Sequence, residues 1–362
     1  MKYYIISGES SGDLYGSYLI DSIRKIDSNS IFHCWGGDYM QSKNVHIVRT
    51  LDKLSFMGFF EVLKNIFTVF KNLYIIKKDL RLKKPDCIIL IDYPGFNFKV
   101  AKYASKLDIP VFWFVAPQTW AWKESRVKLL EKYIKKLYVI LPFEKNYFSS
   151  KNISSEYFGH PLIEVIKDFP NKYSSRKKII ALFPGSRRQE IIIMLPVMLK
   201  TISYFRDYEF IIGGAKNIDL NFYKKIIKSS NVKLVFDQNY NLMSLASAAL
   251  STSGTVTLEL ALYKVPQVVC YKTSLISFLI AKKLIKTKYI SLVNILSKKK
   301  VVDELIQNNF TLENLIISLE KSLNKNNIEI TVKDYKKLIS KLNNQPVFNN
   351  IAKNIVSSLN EK

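Results

Sequence analysis

A chain of 362 residues that is 48% hydrophobic can pack two domain cores, and it contains no run of 18 or more apolar residues that would mark a transmembrane helix. Its net charge of +25 reads first as a Lys-, Ile- and Asn-biased composition on solvated faces, and otherwise as suiting a polyanionic partner, either nucleic acid or an anionic membrane surface. The lysines are spread through nearly every segment with no helix-turn-helix or RNA-binding motif beside them, which argues against nucleic acid. Cys34, Cys87 and Cys270 form no CxxC pair and read as reduced structural thiols of a cytosolic protein. His33, His46 and His160 are too dispersed for zinc, and no metal site is expected.

The chain opens on a predicted strand, Lys2 to Ser7, a Gly-rich turn, Gly8 to Asp13, and a helix, Leu14 to Ile26. The apolar run before the turn is too short for a signal-peptide core. Ile31 to Gly37 and Val45 to Val48 are further strands. Leu54 to Ile76 reads as a helix that is apolar nearly all round, interrupted by Lys64 and Lys71 and closed by Lys77-Lys78. Phe56, Met57, Phe59, Phe60, Phe67 and Phe70 exceed what one core face takes up, and large aromatics beside lysines are the composition of an element in a membrane interface. A buried core helix is the competing reading, and the two can hold for different faces.

Cys87 to Ile91 is a buried, β-branched strand ending in Asp92-Tyr93-Pro94-Gly95-Phe96-Asn97. An acid at the carboxyl end of a parallel strand sits where open α/β sheets place their ligands; the bland alternative is a turn or helix-cap acid. Val111 to Val115 leads into a Trp-rich loop, Ala116 to Trp122. Tyr138 to Leu141 and Ser155 to Phe158 complete the first half, followed by Gly159-His160-Pro161. The polar stretch Asp168 to Lys178 reads as a linker.

Lys178 to Glu190, KIIALFPGSRRQE, then repeats the opening pattern: an apolar strand, a Gly turn carrying Arg187, and a helix N-terminus. Free backbone N–H groups and the helix dipole make that build suited to anions. Glu209 to Ile212, Val232 to Phe236, Ala249 to Ser251 and Gln267 to Tyr271 are strands. Thr252 to Glu259 is a second small-residue turn opening a helix, whose hydroxyls and Gly254 could cradle a diphosphate and whose Glu259 could accept from ribose hydroxyls. Leu275 to Lys288 reads as a basic, apolar helix, and the last helix runs from Asn350 to Leu359.

Eight blocks in this order resemble the lipid-A-disaccharide synthase family along nearly the whole chain. They are Gly8-Glu9-x-Ser11-Gly12-Asp13; Lys84-Pro85-Asp86 with Ile91-Asp92-x-Pro94-x-Phe96-Asn97; Pro117-Gln118-x-Trp120-Ala121-Trp122; Pro142-Phe143-Glu144; Gly159-His160-Pro161; Pro184-Gly185-Ser186-Arg187-x-x-Glu190; Ser253-Gly254-Thr255-x-x-Leu258-Glu259; and Asn294 with Glu304-Leu305-x-Gln307. Gly95 stands where the family more often has Asp, which leaves Asp92 as the only acid of its turn, and Val293 stands where Pro usually precedes the Asn.

The resemblance implies an α/β protein of GT-B type, with two Rossmann-like domains facing each other across a cleft. The expected division is an acceptor domain at 1–170, a UDP-sugar domain at 171–344, and a C-terminal helix at about 345–362 packing back on the first. It implies inverting transfer of 2,3-diacylglucosamine from UDP to the 6-hydroxyl of 2,3-diacylglucosamine 1-phosphate, without a cofactor. Asp92 is the expected general base. Gly185, Ser186, Arg187, Ser253, Gly254, Thr255, Glu259, Asn294, Glu304 and Gln307 are expected on the UDP-sugar, and Glu9, Ser11, Gly12, Asp13, Gln118 and Trp120 on the acceptor. No Asp-x-Asp motif exists, so helix N-termini and Arg187 are expected to stabilise the leaving group in place of a metal. The expected location is cytoplasmic, peripheral on the cytoplasmic face of the inner membrane, with a homodimer allowed. Two other classes stay open on the residues alone: another GT-B UDP-sugar enzyme, of peptidoglycan glycosyltransferase or UDP-GlcNAc epimerase type, and a non-catalytic, basic membrane-binding protein.

Overall fold

The computed structural model describes residues 1–51, 66–171, 175–228, 230–274, 278, 282, 287–342 and 345–361. Two compact units emerge. Among the described residues, the first comprises those from Met1 to Glu164 and from Leu342 to Glu361, and the second those from Val165 to Lys341.

The first unit is built on seven parallel strands: β1 (Lys2–Ser7), β2 (Ile31–Gly36), β3 (His46–Thr50), β4 (Cys87–Ile91), β5 (Val111–Phe114), β6 (Lys136–Val139) and β7 (Ser155–Tyr157). They lie in the order β3-β2-β1-β4-β5-β6-β7. The central strands β4 and β5 are buried along their whole length, as apolar runs covered by helices on both faces must be. Tyr4, Ile6, Ile88, Leu90 and Trp113 anchor one core layer, and Ile76 and Leu80 of the Ile66–Lys83 helix pack into it.

The Val347–Asn360 helix belongs to this unit. Its Phe348 ring meets those of Tyr15, Tyr18 and Phe114 at centroid distances of 6.3, 5.1 and 6.1 Å. The Phe348 N–H donates to Glu164, Lys135 donates to the Ser358 carbonyl, and the Tyr138 hydroxyl donates to Asn354.

The second unit carries β8 (Ile179–Phe183), β9 (Glu209–Gly213), β10 (Lys233–Val235), β11 (Ala248–Thr252), β12 (Gln267–Tyr271) and β13 (Asp303–Ile306), all parallel, in the order β10-β9-β8-β11-β12-β13. In each sheet the strand order reverses once, between β1 and β4 and between β8 and β11. Open α/β sheets bind ligands beyond the carboxyl ends of the strands at such reversals.

The strands expected from sequence are all present, with ends displaced by no more than two residues. The first helix begins at Ser10, four residues before the expected start, because the Gly-rich turn itself supplies its first turn. The helix expected over Leu54 to Ile76 is described from Ile66 and runs on to Lys83. Phe56, Met57, Phe59 and Phe60 lie outside the described residues, as does most of the helix expected over Leu275 to Lys288.

Candidate active site

At the reversal of the first unit, Ser7 pairs in register with Ile91, which brings the Gly8 turn and Asp92 side by side. Asp92 and Tyr93 both take left-handed backbone, φ +47° and +52°. Two such residues in succession turn the chain sharply off β4, and positions of this kind persist only where the surroundings hold them. Three contacts do so. The Asp92 N–H donates to the Phe114 carbonyl at 3.1 Å, and the Asn97 side chain donates to the Asp92 carbonyl at 2.7 Å. The Tyr93 ring lies so close over Gly8 that a Cβ there would come within 2.3 Å of it. Glycine at position 8 is therefore a packing requirement, and the Asp92 carboxyl is left partly buried at the mouth of the reversal.

The expected acceptor residues divide into two kinds. Glu9 is the N-cap of the Ser10–Arg24 helix, with Ser11 and Gly12 in the first turn, and the exposed Gln118 lies after β5. Asp13 is different. Its buried carboxylate accepts from the backbone N–H groups of Gly37, Tyr39 and Met40 at 2.7, 3.0 and 3.1 Å. Burial pushes its carboxyl up, and those three amides work against the shift. Asp13 pins the Gly36-Gly37 turn to the helix.

Trp120 is also held by the fold. Its indole N–H donates to Glu144 at 2.9 Å, and the second Glu144 oxygen accepts from Ile140 and Leu141 N–H at 3.2 and 3.0 Å. Burial raises the Glu144 carboxyl to about 7 against the pull of these donors. Glu144 thus fixes the Trp-rich loop to the end of β6. His160 is fully buried, its Nδ1 accepts from Leu162 N–H, and burial depresses it to about 3, so it stays neutral.

In the second unit Phe183 pairs with Ser251, placing the Pro184–Arg187 turn beside Ser253-Gly254. Gly185 has φ +116°, and a Cβ there would lie 2.4 Å from a Glu190 carboxylate oxygen, so no other residue fits. Arg187 is the N-cap of the Arg188–Leu199 helix and pairs with Glu190 at 2.8 Å, its guanidinium still partly exposed. The Tyr271 phenol stands close by: burial pushes it up, Glu190 adds to the shift and Arg187 opposes it. Ser186 is exposed, and Thr255 begins the Thr255–Leu262 helix. Glu259, one turn on, is only partly covered but densely surrounded, and burial pushes its carboxyl up to about 7. Tyr240 donates to it at 3.3 Å and stacks on Tyr263.

Ser253, Asn294, Glu304 and Gln307, expected on the UDP-sugar, share a set of bonds within the protein. The Asn294 amide donates to the Val302 carbonyl and Glu304 and accepts from Val301 and Val302 N–H, which uses its hydrogen-bonding capacity within the protein. Glu304 accepts from Ile290 N–H, Ser291 N–H and the Ser291 hydroxyl, and Ser253 donates to the Ile290 carbonyl at 2.8 Å. Gln307 pairs both ways with the Thr273 backbone at 3.2 Å. These side chains lace the segment after Tyr289 to the Gly254 turn, so they position the loop instead of projecting into it. Tyr93, Tyr240 and Tyr271 went unforeseen. An aromatic after a strand-end acid is a usable signal for Tyr93, whereas Tyr240 and Tyr271 reach the site through tertiary packing that has no local mark.

A family model described as Lipid-A-disaccharide synthetase matches residues 3–357. The lipid-A-disaccharide synthase of Coxiella burnetii (strain Dugway 5J108-111) is 34% identical over 337 residues, covering 89% of each chain. That of Geobacter metallireducens is 31% identical over 333 residues, covering 88% of this chain and 87% of the other. Among solved structures, the S. aureus MnaA-UDP co-structure aligns with a TM-score of 0.70 at 14% identity over 99% of this chain and 97% of that one. The crystal structure of Acinetobacter baumannii MurG aligns with a TM-score of 0.55 at 14% identity over 100% and 99%. At those identities the structural likeness establishes the shared fold, the GT-B type.

Proposed function

This chain belongs to the lipid-A-disaccharide synthetase family, and we propose that it transfers 2,3-diacylglucosamine from UDP to the 6-hydroxyl of 2,3-diacylglucosamine 1-phosphate, with inversion and release of UDP. The observation that carries the reading at residue level is the pair of sheet reversals: one presents the strand-end acid Asp92, and the other a glycine turn beside Arg187. In the proposed step the acceptor O6 attacks the anomeric carbon from the face opposite UDP. Asp92 takes the O6 proton as the new C–O bond forms, and the bond to the diphosphate oxygen breaks with its electron pair leaving on UDP. Arg187 and the N–H groups opening the Arg188–Leu199 and Thr255–Leu262 helices meet the charge that develops there, and Glu259 accepts from the ribose hydroxyls.

Both substrates carry acyl chains, and the first unit offers a surface for them. On the Ile66–Lys83 helix Phe67, Phe70 and Tyr74 are 85%, 61% and 68% exposed. Their spacing puts them on one face, with exposed Lys71 and Lys78 alongside, while Ile76 and Leu80 on the other face join the core. No helix among the described residues is long and apolar enough to cross a membrane. In our reading the enzyme binds the cytoplasmic face of the inner membrane by this aromatic face. Each methylene it buries contributes ~0.8 kcal/mol.

The test is a transfer assay with radiolabelled UDP-2,3-diacylglucosamine and the lipid acceptor in detergent micelles. Label appearing in a tetraacyl disaccharide monophosphate, with UDP released in equal amount, is the expected outcome. Epimerisation of UDP-GlcNAc by the same preparation, with no lipid product, would replace the reading.

A further inference from the structure

The loop after β5 carries two cations that the mechanism above leaves unused. Lys123, on left-handed backbone at φ +54°, holds its ammonium 4.6 Å from the centre of the Trp122 ring. The Arg126 guanidinium lies 5.1 Å from the same ring and 5.4 Å from that of Phe98. Two like charges therefore share one indole. Burial, and then the neighbouring Arg126, hold the Lys123 ammonium below its usual range. The acid of the same loop, Glu124, pairs instead with Lys151 at 2.6 Å. Among the described residues no ion pair takes up Lys123 or Arg126. Holding two cations together without a carboxylate costs free energy that a bound dianion would return.

The place is informative. β5 is the neighbour of β4, with Ile91 in register with Phe114, so this loop leaves the same edge of the sheet as Asp92. Phe98, on which Arg126 rests, lies one turn into the Pro94–Ala104 helix that Asp92 and Tyr93 lead into. Arg126 is thus tied to the element that sets the proposed base, and Lys123 shares the Trp122 ring with it. We propose that Lys123 and Arg126, seated on Trp122 and Phe98, receive the phosphate monoester of the acceptor sugar and so select a phosphorylated acceptor. This rests on the acceptor reading above. It adds which residues recognise the 1-phosphate of the sugar whose 6-hydroxyl attacks.

Transfer is measured in phospholipid-free detergent micelles with the 1-phosphorylated acceptor and with its dephosphorylated form. The parent is expected to favour the phosphorylated acceptor, and Lys123→Gln and Arg126→Gln each to raise its KM roughly tenfold, as removal of a charge-assisted contact does. The preference should shrink accordingly while UDP affinity holds, which reports an intact fold. Equal losses on both acceptors, or a parent that does not discriminate, overturn the proposal. A second arm reads binding without turnover, titrating parent and variants with glucosamine 1-phosphate and with glucosamine. Tighter binding of the phosphate by the parent alone sustains the proposal even if no transfer is seen, the case in which only the transferase reading fails. Equal affinity of parent and variants for the phosphate overturns it. Vesicles of phosphatidylglycerol and of phosphatidylcholine separate the remaining source of phosphate. Variants that lose anionic-vesicle binding but keep the acceptor preference identify a membrane headgroup contact and overturn the proposal.

Discussion

Asp92 and Arg187 are the residues on which the proposed chemistry turns, and each has a substitution that changes little else. Asp92→Asn keeps shape and the left-handed backbone, which Asn tolerates, and removes the basic lone pair. Turnover is expected to fall ~10²–10⁴-fold with UDP affinity unchanged. Turnover within threefold of the parent would send the search for the base to Glu9, because Asp13 is committed to three backbone amides. Arg187→Ala is expected to weaken UDP at least ~10-fold in calorimetric titration, the usual scale of a lost charge-assisted contact with phosphate. Glu144 provides a pH-dependent counterpart. Its carboxyl in the fold is raised from 4.5 to about 7. A carboxyl raised in the fold contributes stability that is full below its unfolded value and is lost as pH rises through the folded one. Thermal stability of the parent should therefore sag as pH climbs from 4.5 to about 7, with Glu259, raised to a similar value, contributing to the same fall. Glu144→Gln turns an amide N–H₂ toward either the Trp120 N–H or the backbone donors, so it should cost ~1–3 kcal/mol in acid. The gap to the parent should narrow above neutrality in melting curves taken across that range.

The Ile66–Lys83 helix shows what an element can do when its two faces answer to different solvents. Its buried side is ordinary core, whereas Phe67, Phe70 and Tyr74 stand in water at a cost that a lipid interface would remove. Phe67→Ser with Phe70→Ser is expected to abolish the part of vesicle binding that survives high salt, as measured by flotation. The lysine-driven part should still be removed by salt, since only charges are screened. Unchanged salt-resistant binding would transfer that role to residues outside this helix. This element also marks where sequence reasoning works. Apolar excess over one core face is written in composition, as are strands such as Cys87–Ile91 and Gln267–Tyr271, whose observed bounds match those expected. The turns at positions 8, 92 and 185 were legible because turn glycines and strand-end acids have local signatures. For Asn294, Glu304 and Gln307 the sequence left open what the side chains bond to, because a polar side chain reads the same whether it meets a ligand or a neighbouring backbone. Only the partners decide, and those lie from 7 to 34 residues away along the chain.

At the scale of the whole molecule, the chain visits the first unit, builds all of the second, and comes back. Phe348, Ile351, Ala352 and Ile355 of the returning Val347–Asn360 helix are buried in the first unit. Deleting the residues from Val347 onward should lower that unit's thermal stability by several degrees or more, since stripping the cover from a core is among the costlier losses. UDP affinity, which belongs to the second unit in our reading, should survive. Loss of UDP binding in a truncated protein whose second unit remains folded would contradict that division. The return also fixes an order of events during synthesis. A ribosome adds ~5–20 residues per second and domains fold as they emerge. The first unit must therefore wait, on the order of ten seconds or more, while the second is made. Throughout that interval Tyr15, Tyr18 and Phe114 lack the ring that covers them. Nascent chains stalled before Val347 should thus engage chaperones through their amino-terminal half, and the enzyme's acceptor side is the last part of it to be finished.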